Sequence, residues 1–133
     1  MTYNYKQANF GKLVLDNLRG QQISQESCNI QITINDKTIK AHQCVLAANS
    51  STLREMIKST NLNEDGEKRI DLTDLVSSLK TFQHVLYFYY TGTVSHKETD
   101  AVSVKEAAEK LDSQRLLNEL EQVYLTSIII LIF

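Results

Sequence analysis

The chain has only two cysteines, Cys28 and Cys44, and they form no Cys-x-x-Cys pair. Its first residues also lack the charged-then-apolar order of a secretory signal. Because disulfides accumulate in secreted proteins, both absences predict a reducing, intracellular compartment: the cytoplasm, the nucleus or both. With four glycines in 133 residues, the chain also lacks a glycine-rich loop of the kind that cradles phosphate groups.

Charge and hydropathy exclude two further classes of partner. Fourteen basic and 16 acidic residues give a formal net charge of −2 and form no basic block, so the sequence predicts no binding of nucleic acid. The apolar run Ile128 to Phe133 is far shorter than the roughly 20 residues that span a bilayer. We therefore expect no membrane partner. The length and the 42% hydrophobic content are those of one domain with a sizeable core.

The N-terminal third predicts an amphipathic helix followed by a β-hairpin. The helix is expected over residues 10–19, with Asn9 capping its first turn and Gly20 ending it. Its apolar stripe consists of Phe10, Leu13, Val14 and Leu18. Alternating isoleucines then predict a hairpin that turns at residues 35–37. Because the helix precedes every strand, its apolar face must be covered by the later domain or by a second chain.

Short elements are expected to follow the hairpin. Residues 44–48 are apolar at adjacent positions, which favours a short buried helix. Thr52 and Glu55 match a capping box, and the spacing behind them predicts a second helix over about residues 53–58. After a polar loop, the segment "RIDL" at residues 69–72 predicts a brief strand.

The C-terminal half is predicted to be helical. The strongest apolar stripe runs from Leu79 to Tyr89 and predicts a central core helix that Gly92 ends. A capping box at Ser103 and Glu106 predicts another helix, and residues 116–124 predict a last one. Helices that surround one small sheet, without regular βαβ repetition, indicate an α+β fold.

Three motifs in this order resemble the BTB/POZ domain family. They are Ala41-His42 at the end of the hairpin, Val45-Leu46-Ala47 with a serine after it, and Tyr90-Thr91-Gly92. The resemblance implies a small sheet with a hairpin, flanked by a cluster of short helices, and an N-terminal dimerisation helix. Adaptors of the Skp and elongin type share the strand order but lack these motifs, and they are the alternative fold assignment.

The resemblance also divides the chain into three parts. These are an N-terminal tail at residues 1–9, a BTB/POZ domain at 10–125 and an apolar C-terminal tail at 126–133. The C-terminal tail has high β-propensity, no charge and no proline, so if exposed it would favour aggregation.

His42 and Cys44 are the first candidates for catalytic residues, because their side chains are reactive and close in sequence. We expect both to have structural roles instead. The resemblance places His42 where a strand passes into a helix, with its ring bonding backbone groups that the change of direction leaves unpaired. The apolar surroundings of Cys44 predict a buried, neutral and therefore inert thiol. The three histidines and two cysteines do not have the spacing of a metal site. We therefore expect no enzyme, no metal and no cofactor.

Two surfaces for protein partners remain. The resemblance implies that the stripe of the first helix, Phe10, Leu13, Val14 and Leu18, packs against a second chain in a homodimer; packing on its own domain is the alternative. The loop Leu62-Asn63-Glu64 resembles the hydrophobic-x-Glu pattern of family members that bind a cullin N-terminal domain in ubiquitin ligases. Leu62 would be the anchor, Glu64 would shape the loop by a hydrogen bond, and Met56 and Tyr89 would be neighbouring contacts.

The alternative function is a purely structural oligomerisation module without ligase binding, of a cytoskeletal, channel-like or transcriptional-regulator type. Dimeric repressors of this family pair an aspartate with a basic residue where this chain has Asn29 and Gln43. An amide pair can hydrogen-bond but cannot form an ion pair. The substitution argues against a repressor-type charged pocket.

Overall fold

A three-stranded sheet with helices around it forms the framework of the molecule. The computed structural model describes the backbone of residues 1–94 and 97–132, and the side chains of these residues apart from Glu98, Tyr124 and 126–132. In chain order the elements are α1 (Phe10–Ser24), β1 (Ile30–Ile34), β2 (Lys37–Ala41), α2 (Gln43–Asn49), α3 (Ser51–Ser59), β3 (Lys68–Asp71), α4 (Leu79–Thr91), a 3-10 turn (Glu98–Asp100), α5 (Ala101–Lys110) and α6 (Gln114–Ile132). The predicted α+β class is confirmed.

β1 is the central strand, and the sheet order is β2-β1-β3. β1 and β2 form the predicted antiparallel hairpin, and β3 pairs with β1 in parallel. The hairpin turns at Asn35 and Asp36, which both have positive φ angles, of 50° and 67°. Two positive φ angles match the twist of a two-residue hairpin, and Asn and Asp tolerate them well. The three isoleucines of β1 all point into the core, which fixes the register of the sheet.

α4 is the central core helix that the sequence predicts. The Ser78 hydroxyl accepts a hydrogen bond from the Thr81 N–H at its start, and Gly92 ends it with a φ of 71°. The Gly92 N–H donates to the Phe88 carbonyl at 2.8 Å. Seven of its side chains are buried: Thr81, Phe82, Val85, Leu86, Phe88, Tyr89 and Tyr90.

Three predicted helix ends and one predicted cap differ from those observed. α1 continues through Gly20 to Ser24, and Gln25, with a φ of 64°, closes it by donating to helix carbonyls. At the start of α1, Asn9 adopts a left-handed conformation, and its side chain makes no capping bond. The cap of α3 is Ser50, whose hydroxyl accepts from the Leu53 N–H at 2.9 Å. α5 begins at residue 101, so Ser103 lies inside the helix.

α6 crosses the predicted boundary between the domain and the C-terminal tail. Its backbone is helical through Ile132, whereas the sequence favours a separate apolar segment from residue 126. Phe133 and the packing of the tail side chains lie outside the described residues. None of the described helices is both long and apolar enough to cross a membrane.

Tyr90 joins α4 to the point where β2 passes into α2. Its hydroxyl accepts a bond from the backbone N–H of His42 at 3.1 Å and lies 2.7 Å from His42 Nδ1. The predicted structural role of His42 holds, but its ring contacts a tyrosine hydroxyl rather than backbone groups. Because the hydroxyl accepts from the N–H, it is free to donate its own hydrogen to Nδ1.

Tyr89 and the N-terminus of α3 fix the turn between α5 and α6. The Tyr89 hydroxyl bonds the hydroxyl of Ser113, and the Ser50 hydroxyl donates to the carbonyl of Leu111. Ser51 donates to the carboxylate of Asp112. The C-terminal helices are thus attached to the α2–α3 pair by side chains that lie next to each other in the sequence.

Leu86→Ala should lower the free energy of unfolding by about 2–5 kcal/mol, because Leu86 lies fully in the core and its truncation leaves a cavity. Urea unfolding followed by circular dichroism measures this loss. Gln83→Ala, at an exposed position of the same helix, is the control and should change stability little. Equal effects of the two substitutions would contradict the orientation of α4.

The fold should lose stability in alkali between about pH 10 and pH 12. Burial raises the pKa of Tyr89 and of Tyr90 from 10.0 to about 12, against smaller lowering effects of their hydrogen bonds. Because both folded-state pKa values lie above the unfolded value, the stabilisation is fully present below about pH 10 and is lost as the pH rises to about 12.

Tyrosinate absorbance and circular dichroism, recorded together through an alkaline titration, test this expectation. Two of the six tyrosines should ionise only as the fold is lost. Ionisation of all six near pH 10 in a protein that stays folded would show that Tyr89 and Tyr90 are not buried.

Candidate interaction surfaces

His42 and Cys44 do not form a reactive pair. The Cys44 side chain is exposed, not buried as predicted, because Val45 and Leu46 are the residues with which α2 faces the core. The Nδ1 atom of His42 lies against the Tyr90 hydroxyl. Both cysteines are free thiols, and burial raises the pKa of the Cys28 thiol; Lys40 lowers this pKa by less, and Glu67 raises it slightly further. A raised pKa lowers the thiolate fraction and therefore the reactivity of Cys28.

Metal binding finds no support in the described part of the chain. No group of three or more His, Cys, Asp or Glu side chains there is arranged to hold a metal ion.

α1 presents two different faces. Phe10, Leu13 and Val14 are 60%, 45% and 42% exposed. Leu18 is partly buried and packs against the core of its own chain. For Leu18 the alternative of packing on its own domain is therefore the observed one. The other three predicted dimer residues lie on the surface.

α1 is anchored to the domain by a residue that the sequence analysis misses, Gln22. This side chain is buried; its Nε2 donates to the carbonyl of Lys40 in β2 at 3.1 Å, and its Oε1 accepts from Arg19. The Arg19 guanidinium in turn lies 5.4 Å from the ring centre of Tyr87 on α4. Its spacing of four residues from Leu18 is a helical signal in the sequence, but the predicted helix ends at residue 19, before Gln22. These bonds hold the exposed side of α1 in a fixed direction.

The loop between α3 and β3 exposes Leu62. Its side chain is 61% exposed, and Glu64 is exposed beside it. The Asn63 N–H donates to the Glu67 carbonyl at 2.9 Å, and the Gly66 N–H donates to the Asn63 carbonyl at 2.9 Å.

Asp65 is the carboxylate that shapes this loop, not Glu64 as predicted. It accepts from the Glu67 N–H at 3.1 Å and pairs with Arg69 at 2.7 Å. Both bonds are local, because Asp65 lies directly at the turn. The loop is therefore fixed independently of Glu64, whose carboxylate is left on the surface.

The two predicted neighbours of Leu62 differ in accessibility. Met56 is half-buried and packs against the core. Tyr89 is 3% exposed and uses its hydroxyl to bond Ser113. Tyr89 therefore drops out of the predicted contact surface, because its position on α4 faces the core.

Asn29 and Gln43 are joined by two hydrogen bonds, both donated by Gln43. The Gln43 N–H donates to Asn29 Oδ1 at 2.8 Å, and Gln43 Nε2 donates to the Asn29 carbonyl at 2.9 Å. The two side-chain amides do not bond each other, because each bonds the backbone of the other residue. The pair joins the start of the sheet to α2 without any charge.

Comparison with known proteins places this architecture in a family. The family model of the BTB/POZ domain matches residues 16–128. The chain is 27% identical over 115 residues to zinc finger and BTB domain-containing protein 45 of Homo sapiens, a match that covers 86% of this chain and 21% of that protein. It is 33% identical over 99 residues to zinc finger and BTB domain-containing protein 14 of Homo sapiens, covering 74% and 21% respectively. The chain thus spans about a fifth of the length of these relatives.

The fold is also that of a solved structure. The BTB domain of zebrafish PATZ1 superimposes with a TM-score of 0.81 at 21% identity, over 94% of this chain and 99% of that chain. The hairpin, the parallel third strand and the helices described above are therefore those of the resemblance drawn from the sequence, and the Skp and elongin alternative is set aside. The chain belongs to the BTB/POZ domain family and is a protein-interaction domain.

Proposed function

We propose that this BTB/POZ domain forms a homodimer through the exposed apolar side of α1. The observation that carries the proposal is the exposure of Phe10, Leu13 and Val14 together on one helix. Large apolar side chains grouped on a surface favour association, because covering them removes apolar area from water. A homodimer would present two copies of each surface outside the interface, and would so act as a scaffold for binding two copies of a partner.

The anchoring of α1 supports this proposal. Gln22 and Arg19 tie the C-terminal half of the helix to β2 and α4. A helix that is already fixed loses little conformational entropy when a partner binds, so its apolar contacts contribute more fully to affinity. The domain would act without catalysis and inside the cell, where free thiols such as Cys28 and Cys44 stay reduced.

A second candidate function is docking to a cullin N-terminal domain, which would make the protein an adaptor of a ubiquitin ligase. Leu62 supports this, because it is 61% exposed on a loop fixed by its own hydrogen bonds. A single exposed leucine on a preformed loop suits insertion into an apolar pocket of a partner. Glu64 and the accessible part of Met56 would complete the contact.

The alternative is an oligomerisation module that binds no cullin, such as a transcriptional regulator uses. It is supported by the curated relatives, which are named for zinc fingers as well as for a BTB domain. The uncharged Asn29 and Gln43 pair would then leave this module without the charged pocket expected of repressors. Binding of a cullin separates the two functions.

Leu13→Asp should convert the dimer into a monomer, because a carboxylate buried between two apolar helices would remain unpaired. Light scattering coupled to size exclusion measures the mass, and circular dichroism checks the fold. Val102→Asp is the matched control, since Val102 is an exposed valine on α5. A dimer that persists in Leu13→Asp, or is lost equally in the control, would contradict the α1 interface.

Leu62→Ala should abolish the gain in mass on mixing with a cullin N-terminal domain, while the melting temperature stays nearly unchanged. The stability should hold because Leu62 contributes little to the core. Val102→Ala, which removes an exposed side chain elsewhere, should bind like the unchanged protein. If the unchanged protein gains no mass, the domain is an oligomerisation module, and the Leu62 loop has another role.

A further inference from the structure

β3 is an open edge of the sheet. The order β2-β1-β3 leaves β2 and β3 as the two outer strands. On β2, the carbonyl of Lys40 accepts a bond from Gln22, so α1 takes up part of that edge. In the part of the chain that the structure describes, the backbone on the outer side of β3 makes no such bond. Because an unpaired edge is a template for another strand, β3 is where the sheet can be extended.

The hydrogen-bond pattern of β3 shows which of its residues point outward. The N–H groups of Lys68 and Leu72 donate to the carbonyls of residues 29 and 33, at either end of β1. Backbone groups alternate in direction along a strand. Arg69 and Asp71 therefore direct their N–H and C=O groups away from β1, towards the open edge.

The side chains of these two residues carry opposite charges. Arg69 and Asp71 are exposed, whereas Ile70 between them is buried in the core. Hydrogen bonds from the hydroxyl and the N–H of Thr73 hold the pKa of Asp71 below its ordinary value, so its carboxylate is charged. Arg69 pairs with Asp65, but both partners are half exposed, and a guanidinium has further N–H groups to donate. Both charges are therefore available to a neighbouring strand.

We infer that β3 pairs antiparallel with β3 of a second copy, about a two-fold axis at Ile70. Each Arg69 then lies directly opposite Asp71 of the other copy. Since the backbone groups of these residues point outward, two main-chain hydrogen bonds form at each such position. Two three-stranded sheets thereby become one sheet of six strands.

Charge and backbone bonding select a second copy and this register. A two-fold axis at Arg69 or at Asp71 would place like charges directly opposite each other, which destabilises a strand pair. A shift towards Glu67 would need backbone groups that already bond within the loop. A shift the other way would place Asp71 opposite the uncharged Thr73. Because a two-fold axis pairs an edge with itself, a strand with one charge of each sign is its own complement.

This contact uses no residue of α1, and it does not depend on the homodimer proposed above. If both contacts form, each homodimer keeps two open β3 edges. Homodimers would then join through β3 into longer assemblies.

Charge reversal tests the pairing, with the growth of mass on raising the protein concentration as the readout in analytical ultracentrifugation. Arg69→Asp leaves aspartate at both positions, and Asp71→Arg leaves arginine at both. Each variant alone should raise the dissociation constant of this contact by about tenfold or more, because two attractive pairs become repulsive. An equimolar mixture of the two variants restores opposite charges at both positions and should recover the association.

Two controls separate charge pairing from damage to the fold. The double variant, Arg69→Asp with Asp71→Arg, exchanges the two charges and should associate alone. Lys105→Asp reverses an exposed charge on α5 and should associate like the unchanged protein. Single variants that associate like the unchanged protein would overturn the inference, and so would a mixture of well-folded variants that recovers nothing.

The same measurement distinguishes this inference from the proposed homodimer. The mass in dilute solution reports on the homodimer, and Leu13→Asp should lower it without removing the growth of mass with concentration. A dilute dimer whose mass does not grow would leave the homodimer standing and overturn the β3 pairing. A dilute monomer whose growth depends on Arg69 and Asp71 would do the reverse.

Discussion

The hydrogen bonds of two adjacent tyrosines on α4 are the constraint on which the other elements depend. Tyr90 binds the backbone and the ring of His42, and so positions the end of the sheet and the start of α2. Tyr89 binds Ser113, and so positions the turn between α5 and α6. Each hydroxyl lies inside the apolar core, where an unpaired polar group would cost about 1–3 kcal/mol. The core therefore helps to specify where its neighbours lie, since both hydroxyls are satisfied by these partners.

The surfaces follow from this frame. With the hairpin fixed against α4, the carbonyl of Lys40 is held where Gln22 can bind it, and this bond sets the rotation of α1. That rotation turns Leu18 inward and leaves Phe10 and Leu13 outside. Fixing the rotation of α1 through contacts with the rest of the domain suits a protein-interaction domain, because a flexible helix would bind its partner at a greater entropic cost.

Local chemistry explains what the sequence predicts well. Asn35 and Asp36 form the expected hairpin turn, and Gly92 ends α4 as expected, because each needs only its own backbone conformation. The family was predictable from short motifs. Two of them, Ala41-His42 and Tyr90-Thr91-Gly92, contact each other in the structure. This contact, between the Tyr90 hydroxyl and His42, joins two motifs that are 48 residues apart.

The misjudged residues are those whose surroundings come from distant parts of the chain. A short apolar run cannot show which side of α2 faces the core, so the exposure of Cys44 was not predictable. The rotation of α1 depends on Gln22, whose Nε2 donates to a carbonyl of β2, a later part of the chain. Asp65 and Glu64 are both acidic residues of one loop, and only the position of the turn distinguishes them. The pattern of apolar residues predicts where a helix lies in the sequence. Which side of that helix faces the core depends on contacts with distant residues.

The bonds that close the structure join residues that are far apart along the chain. His42 and Tyr90 are separated by 48 residues, and Ser51 and Asp112 by 61. Closing such long loops is entropically unfavourable until most contacts form together, which slows folding and makes it cooperative. During synthesis, the hairpin and α1 therefore leave the ribosome well before the segments that hold them exist. The exposed apolar residues of α1, Phe10, Leu13 and Val14, are therefore synthesised before the domain that carries them is complete.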